Sequence, residues 1–189
     1  MPVRRTIPYS SGTFFITFTC KNWIPIIELS KGYDIVYHWL ALLREKGHKI
    51  NGFVIMPNHV HVLITFKDSS ANINTIVGNG KRFMAYAFVK RFKEQNKCNI
   101  LKRLHESVDP ERKQKNKLHD IWEYSFDWKN CVADWFKYQK LHYIHANPCS
   151  GKWQLASTPE KYLHSSASFY ANGEEGVFPV DHLESMKDS

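Results

Sequence analysis

Two strand-like runs, Lys49 to Met56 and His59 to Phe66, meet at a turn of Met56, Pro57 and Asn58. A connection that short permits only an antiparallel hairpin, because parallel strands need a crossover of a dozen residues or more. The remaining elements fall around it. Thr13 to Cys20 (TFFITFTC) alternates and is rich in β-branched and aromatic residues, which predicts a strand. Ser30 can cap a helix running to about Lys46, with Tyr33, Val36, Tyr37, Leu40, Ala41 and Leu43 as its apolar stripe. Asn72 to about Lys97 reads as a long helix whose first turns are weakened by Gly78 and Gly80. Ile121 to Phe126 is expected as a fourth strand, and Val132 to Asn147 as a final helix closed by Pro148. The order β-α-β-β-α-β-α predicts an α+β fold, an antiparallel sheet with helices packed on one face in the ferredoxin-like manner.

At 189 residues, with 43% hydrophobic and 14% aromatic side chains, the chain suits a single folded domain and is too apolar for disorder. No apolar run reaches the roughly 18 residues that a membrane span needs, and MPVRRTIPYS lacks the features of a secretory leader, so a cytoplasmic protein is expected. Cys20, Cys98, Cys131 and Cys149 are scattered without a CxxC pair, which argues against a disulfide scaffold or a cysteine zinc site. The net charge of +8 is concentrated. Residues 81–117 carry 12 basic and four acidic side chains, and the rest of the chain balances. A local positive field of that kind favours a polyanion, most often nucleic acid, although a solvated helix face and linker would give the same count. Between 99 and 117 the apolar residues thin out, so a mobile basic connection is expected there.

Two strings carry chemistry. In VIMPNHVHVLI, His59 and His61 are one residue apart on a strand, so both imidazoles project from one face, about 7 Å apart at the backbone. Such a pair suits a divalent metal with a third ligand from elsewhere; spacing alone favours two polar residues on an exposed strand face. In KLHYIHANP, Tyr143 and Asn147 are i and i+4, so a phenol and an amide share a helix face, with Phe136 and Gln139 before them on the same stripe. An ordinary core tyrosine and a helix-ending asparagine would have the same spacing.

Taken together, the Pro-Asn-His-x-His strand and the Tyr-Ile-His-x-Asn-Pro helix end resemble the HUH single-strand DNA transposases, specifically the REP-associated tyrosine transposases. The resemblance runs from FITFTCKNWIPII through VIMPNHVHVLI and the Lys81 region to IWEYSFDWKN, YIHANP and KYLHSSASFY. It implies a ferredoxin-like or RRM-like sheet, His59 and His61 as metal ligands, Tyr143 as nucleophile, and Asn147 at the position that supplies a third ligand. It further implies Mg²⁺ or Mn²⁺ as cofactor and single-stranded DNA with hairpins as substrate, cleaved and rejoined through a 5′-phosphotyrosine link by a monomer or homodimer. On this reading Lys81, Arg82, Lys90 and Arg91 contact phosphates, and exposed aromatics such as Trp122, Trp128 or Trp153 stack unpaired bases. Two other functions remain open at this point: a non-catalytic nucleic-acid-binding module on the same fold, and a hydrolase whose histidines activate water.

Overall fold

The computed structural model describes residues 6–68, 71–151 and 153–186. Strand β1 (Gly12–Thr19) is followed by helices α1 (Ile26–Ser30) and α2 (Tyr33–Glu45), then by the hairpin β2 (Lys49–Ile55) and β3 (His59–Phe66). Helices α3 (Ile73–Glu94), α4 (Cys98–Glu106) and α5 (Pro110–Gln114) precede β4 (Asp127–Asn130), and α6 (Asp134–Ala146) and α7 (Ala167–Asn172) follow, with a 3₁₀ turn at Leu183–Met186. The sheet is antiparallel in the order β2-β3-β1-β4. Strands β1 and β2 thus flank β3 with α2 crossing between them, the split arrangement expected of a ferredoxin-like α+β fold.

The strand period of two separates the side chains of the sheet into two chemically different faces. Phe14, Ile16 and Phe18 of β1 join Val60, Val62 and Ile64 of β3 on one face, where α2 and α3 pack with Val36, Leu40, Val77, Phe88 and Phe92. Phe15, Val54 and Leu63 point the other way and meet Leu141 and Ile144 of α6. His59 and His61 are in phase with this second set, because His61 lies opposite both Thr17 and Val54.

Two close approaches depend on missing β-carbons. A Cβ at Gly80 would lie 2.1 Å from Trp39 Nε1, so α3 reaches α2 only with glycine there. A Cβ at Gly52 would lie 2.4 Å from Leu141 Cδ1, so α6 settles on β2 only over a bare backbone.

Three segments differ from the sequence-based expectation. Ser30 does not start α2; it ends α1, where its hydroxyl donates to the Ile27 carbonyl, and Lys31 at φ 52° breaks the helix before Tyr33. Burial of Ile26 and Ile27 draws that separate turn into the core. The fourth strand is Asp127–Asn130 rather than Ile121–Phe126. Trp122 makes only an isolated bridge to Cys20, and the carbonyls of Glu123 and Ser125 accept from the Lys81 ammonium instead of from a strand. Finally, residues 99–117, read from the sequence as a mobile basic connection with no element of its own, carry most of α4 and all of α5. Leu104 and Val108 are buried, and Asp109 caps α5 by accepting from Glu111 N–H. The charges crowd the sequence there because only a narrow stripe of these helices faces inward.

Candidate metal and tyrosine site

β3 supplies the imidazoles. His59 and His61 are 6% and 5% exposed, with ring centroids 4.8 Å apart. Desolvation holds both in the neutral form: the His59 imidazolium is disfavoured by burial, and burial together with the neighbouring His59 pushes His61 down to about 3. A neutral imidazole is the form that ligates a metal.

Asn58 fixes the tautomer of His59. Its amide Nδ2 donates to the Trp23 carbonyl at 3.0 Å, and since a carbonyl can only accept, the amide orientation is settled. Asn58 Oδ1 therefore faces His59 Nδ1 at 2.7 Å, and that nitrogen must carry the proton. The lone pair of His59 is left on Nε2, 3.2 Å from Asn147 Oδ1. Asn147 Oδ1 and His59 Nε2 each carry a lone pair, so a cation seated between them would have both as ligands. His61 Nδ1 shares a 2.6 Å hydrogen bond with Thr17 Oγ1, which orients the second ring and leaves its Nε2 as the nitrogen available to a metal.

The other half of the site comes from α6. Leu141 and Ile144 are buried against the sheet, and Phe136, Lys140, Tyr143 and Asn147 follow at helical spacing. The Tyr143 ring stands edge-on to His61 with centroids 5.2 Å apart and edge-on to Phe15 at 5.8 Å, while Phe15 stacks on His61 at 5.5 Å. Tyr143 is 51% exposed, so its phenol is open to a large ligand. Helix α6 ends at Ala146, and Asn147 opens a 3₁₀ turn through Cys149, which places its side chain beside His59.

The residues present fit a divalent cation. Two imidazole nitrogens and an amide oxygen form a mixed N/O donor set suited to Mn²⁺ or Mg²⁺, with further positions open to an anionic ligand. Among the described residues no third histidine, cysteine or carboxylate joins the pair, and Asn147, whose Oδ1 lies beside His59 Nε2, is a side chain that could add a third donor.

His59, His61, Tyr143 and Asn147 are thus brought together, whereas the basic residues expected on phosphates are not. They lie on α3, across the sheet from the imidazoles. Lys81 is buried and donates to the carbonyls of Glu123 and Ser125 at 3.0 and 2.9 Å, so it is unavailable to DNA. Arg91 is paired with Asp34 at 2.5 and 2.7 Å and donates to the Lys31 carbonyl. Arg82 is exposed over the Phe83 ring, and Lys90 is exposed with Glu94 3.8 Å away. The tryptophans are redistributed as well. Trp122 is buried with its indole N–H on the Lys81 carbonyl, and Trp128 and Trp153 are partly buried against the two cores. The sequence reading also missed Lys140, whose ammonium lies 5.0 Å from the Phe136 ring, 5.3 Å from Phe15 and 5.9 Å from Tyr143. Its spacing from Tyr143, i to i+3, was the available signal.

Comparison with known proteins gives three concordant findings. The family model described as "Transposase IS200 like" matches residues 12–107, which includes both imidazoles and stops short of Tyr143 and Asn147. The curated REP-associated tyrosine transposase of Escherichia coli (strain K12) is 20% identical over 181 residues, 94% of this chain and 88% of that protein. A solved structure of the REP-associated tyrosine transposase bound to a REP hairpin superposes with a TM-score of 0.65, covering 97% of this chain and 93% of that one at 16% identity. That last likeness establishes the shared fold.

Proposed function

The chain belongs to the IS200-like transposase family and is an enzyme of DNA strand cleavage and transfer, and from that premise we propose a specific reaction. It is a metal-dependent endonuclease and transposase of single-stranded, hairpin-bearing DNA, acting through a covalent 5′-phosphotyrosine at Tyr143. The observation that carries this reading is the pairing of Tyr143 with His61, 5.2 Å between ring centroids, from segments 82 positions apart in the sequence.

A protonated phenol and an anionic phosphodiester react poorly at neutral pH. Bound to His59, His61 and Asn147, Mg²⁺ or Mn²⁺ would supply positive charge to a non-bridging phosphate oxygen and help hold the phosphorus for in-line displacement. The Tyr143 oxygen forms the new bond to phosphorus, the bond from phosphorus to the 3′ oxygen breaks, and the proton given up by the phenol is balanced by the one the 3′ oxygen takes up. Attack of that 3′-hydroxyl on the phosphotyrosine reverses the exchange, so rejoining needs no further energy source. Lys140 adds a cation beside Phe15 and Tyr143 that favours an approaching phosphate. Phe15, stacked on His61, keeps one side of the ring away from water.

The DNA held by the structural relative is a REP hairpin, and a hairpin with single-stranded flanks is the substrate class we extend to this chain. Arg82 and Lys90 contact its backbone away from the cleavage centre. No helix among the described residues is long and apolar enough to cross a membrane. We place the reaction in the cytoplasm, carried out by a monomer or a homodimer.

The test is a hairpin oligonucleotide incubated with protein and Mn²⁺ and resolved on a denaturing gel. Wild type should give a protein–DNA adduct that chelator abolishes, and Tyr143→Phe should bind the hairpin without forming one. An adduct that survives Tyr143→Phe, or cleavage without any adduct, refutes the assignment and favours a water-activating hydrolase. Hairpin binding by wild type with no adduct under any metal favours a non-catalytic binding module.

A further inference from the structure

Beyond the His59 side of the site the chain makes a turn that the reaction described above does not use. After β1, residues Lys21–Trp23 form a short kinked turn in which Asn22 and Trp23 take φ of 52° and 57°. Two successive residues with β-carbons in the left-handed region are uncommon, and such conformations persist only where the surroundings impose them. Here they do. Trp23 N–H donates to the Cys20 carbonyl at 3.0 Å, Lys21 N–H to the Ile121 carbonyl at 2.8 Å, Asn22 N–H to Glu123 Oε1 at 2.8 Å, and the Trp23 carbonyl accepts from Asn58.

All of these bonds hold the backbone, and the side chain they position is directed away from the core. Trp23 is 59% exposed, whereas Ile24, Ile26 and Ile27 just after it are almost completely buried. An indole left in water on an imposed backbone gains nothing for folding. Its ring lies 6.0 Å from the His59 ring, at the rim of the metal site. Trp135, the other strongly exposed tryptophan among the described residues, sits at the start of α6 with its ring against Phe136.

We propose that Trp23 is the stacking platform for the unpaired base next to the scissile phosphate, and that it sets the register in which the strand crosses the metal site. The proposal rests on the single-strand reading given above. An aromatic face binds any unpaired base without base-specific hydrogen bonds, which suits a nucleotide whose position matters more than its identity. Asn58 makes the platform and the ligand one unit, since its two amide ends hold the Trp23 carbonyl and His59 Nδ1. A base seated on Trp23 thereby has its own phosphate beside His59. Trp23 acts on the position of the strand and takes no part in bond making.

The experiment uses Tyr143→Phe protein, so that no cleavage intervenes, and hairpin oligonucleotides carrying 2-aminopurine at either nucleotide flanking the cleavage position mapped with wild type. Fluorescence should be quenched on binding at one of the two positions, and the quench should disappear in the Trp23→Ala background and persist in Trp23→Phe. In the cleavage-competent protein, Trp23→Ala should raise KM by about 5- to 150-fold, a larger effect than on kcat, with thermal melting unchanged. An abasic nucleotide at the quenched position should cost wild type that same factor and cost Trp23→Ala nothing further. A quench indifferent to Trp23, or an abasic penalty equally large in both proteins, overturns the proposal and leaves the transposase reading intact. Failure of Tyr143→Phe protein to bind the hairpin at all overturns both.

Discussion

Gly52→Ala tests whether the seating of α6 on β2 sets the geometry of the reaction. The added methyl would stand 2.4 Å from Leu141 Cδ1, while ordinary contact begins at 3.4 Å, so about 1 Å must be found. Leu141 is only 4% exposed and is packed with Val54, Leu63 and Ile144, all fully buried, which leaves its side chain little room to rotate away. The displacement passes to the helix, and Tyr143, two residues on, moves with it. Overpacking of this kind costs about 1–3 kcal/mol of stability. A misplacement of about 1 Å at reacting groups lowers a rate by as much as about a hundredfold. Adduct formation under single-turnover conditions, with urea unfolding alongside, should show a large loss of rate in a protein that is still folded. Adding Leu141→Ala removes the colliding atom; the double variant should recover adduct rate relative to Gly52→Ala although the buried leucine is worth about 2–5 kcal/mol. A Gly52→Ala protein with wild-type adduct rate and stability would refute the reasoning.

Asn58→Ala leaves His59 Nδ1 without its acceptor, so Mn²⁺ affinity should fall by about 10- to 100-fold in a spin-resonance titration; unchanged affinity would show that the amide does not orient the ligand. Burial holds the Lys81 ammonium down at about 8 against an ordinary 10.5, so the native state releases that proton first and the unfolded chain binds more protons between those values. Stability therefore rises with pH across that window by up to about 3 kcal/mol from this group, and the urea stability of wild type relative to Lys81→Met should improve from pH 8 to 10.5. The buried Cys20 thiol, which burial pushes up, acts in the opposite direction in both proteins; a flat difference would exclude a strained buried cation. Replacing both Arg82 and Lys90 by alanine should lessen the slope of log affinity against log salt by roughly 0.7–0.9 for each phosphate that the variant no longer neutralises, with the adduct rate at saturating DNA unchanged, and an unaltered slope would remove them from the DNA path.

The hairpin and the facing of the two imidazoles were legible in the sequence because both are local. Three residues between two strands allow one kind of pairing, and a period of two puts His59 and His61 on one face whatever surrounds them. The long helix after the hairpin was legible for the same reason, with Asn72 capping it through Asn74 N–H. β4 was not, because an edge strand of four residues, DWKN, shows little alternation, while the apolar IWEYSF before it contacts the core without joining the ladder.

What lay beyond the sequence was every property that depends on a neighbour far along the chain. The sequence could place Tyr143 and Asn147 on one face of a helix, but the approach of that face to His61 and His59 required the bare backbone at Gly52 and the packing of Leu141 upon it. It could count the charges of 81–117, but their use was decided by which carbonyls and carboxylates came within reach, so that Lys81 turned inward to 123 and 125 and Arg91 to Asp34. It could list six tryptophans, and folding alone chose to leave Trp23 in water beside the imidazoles. Periodicity fixes the direction of a side chain relative to its own element, whereas the partner it meets is fixed only when the elements pack.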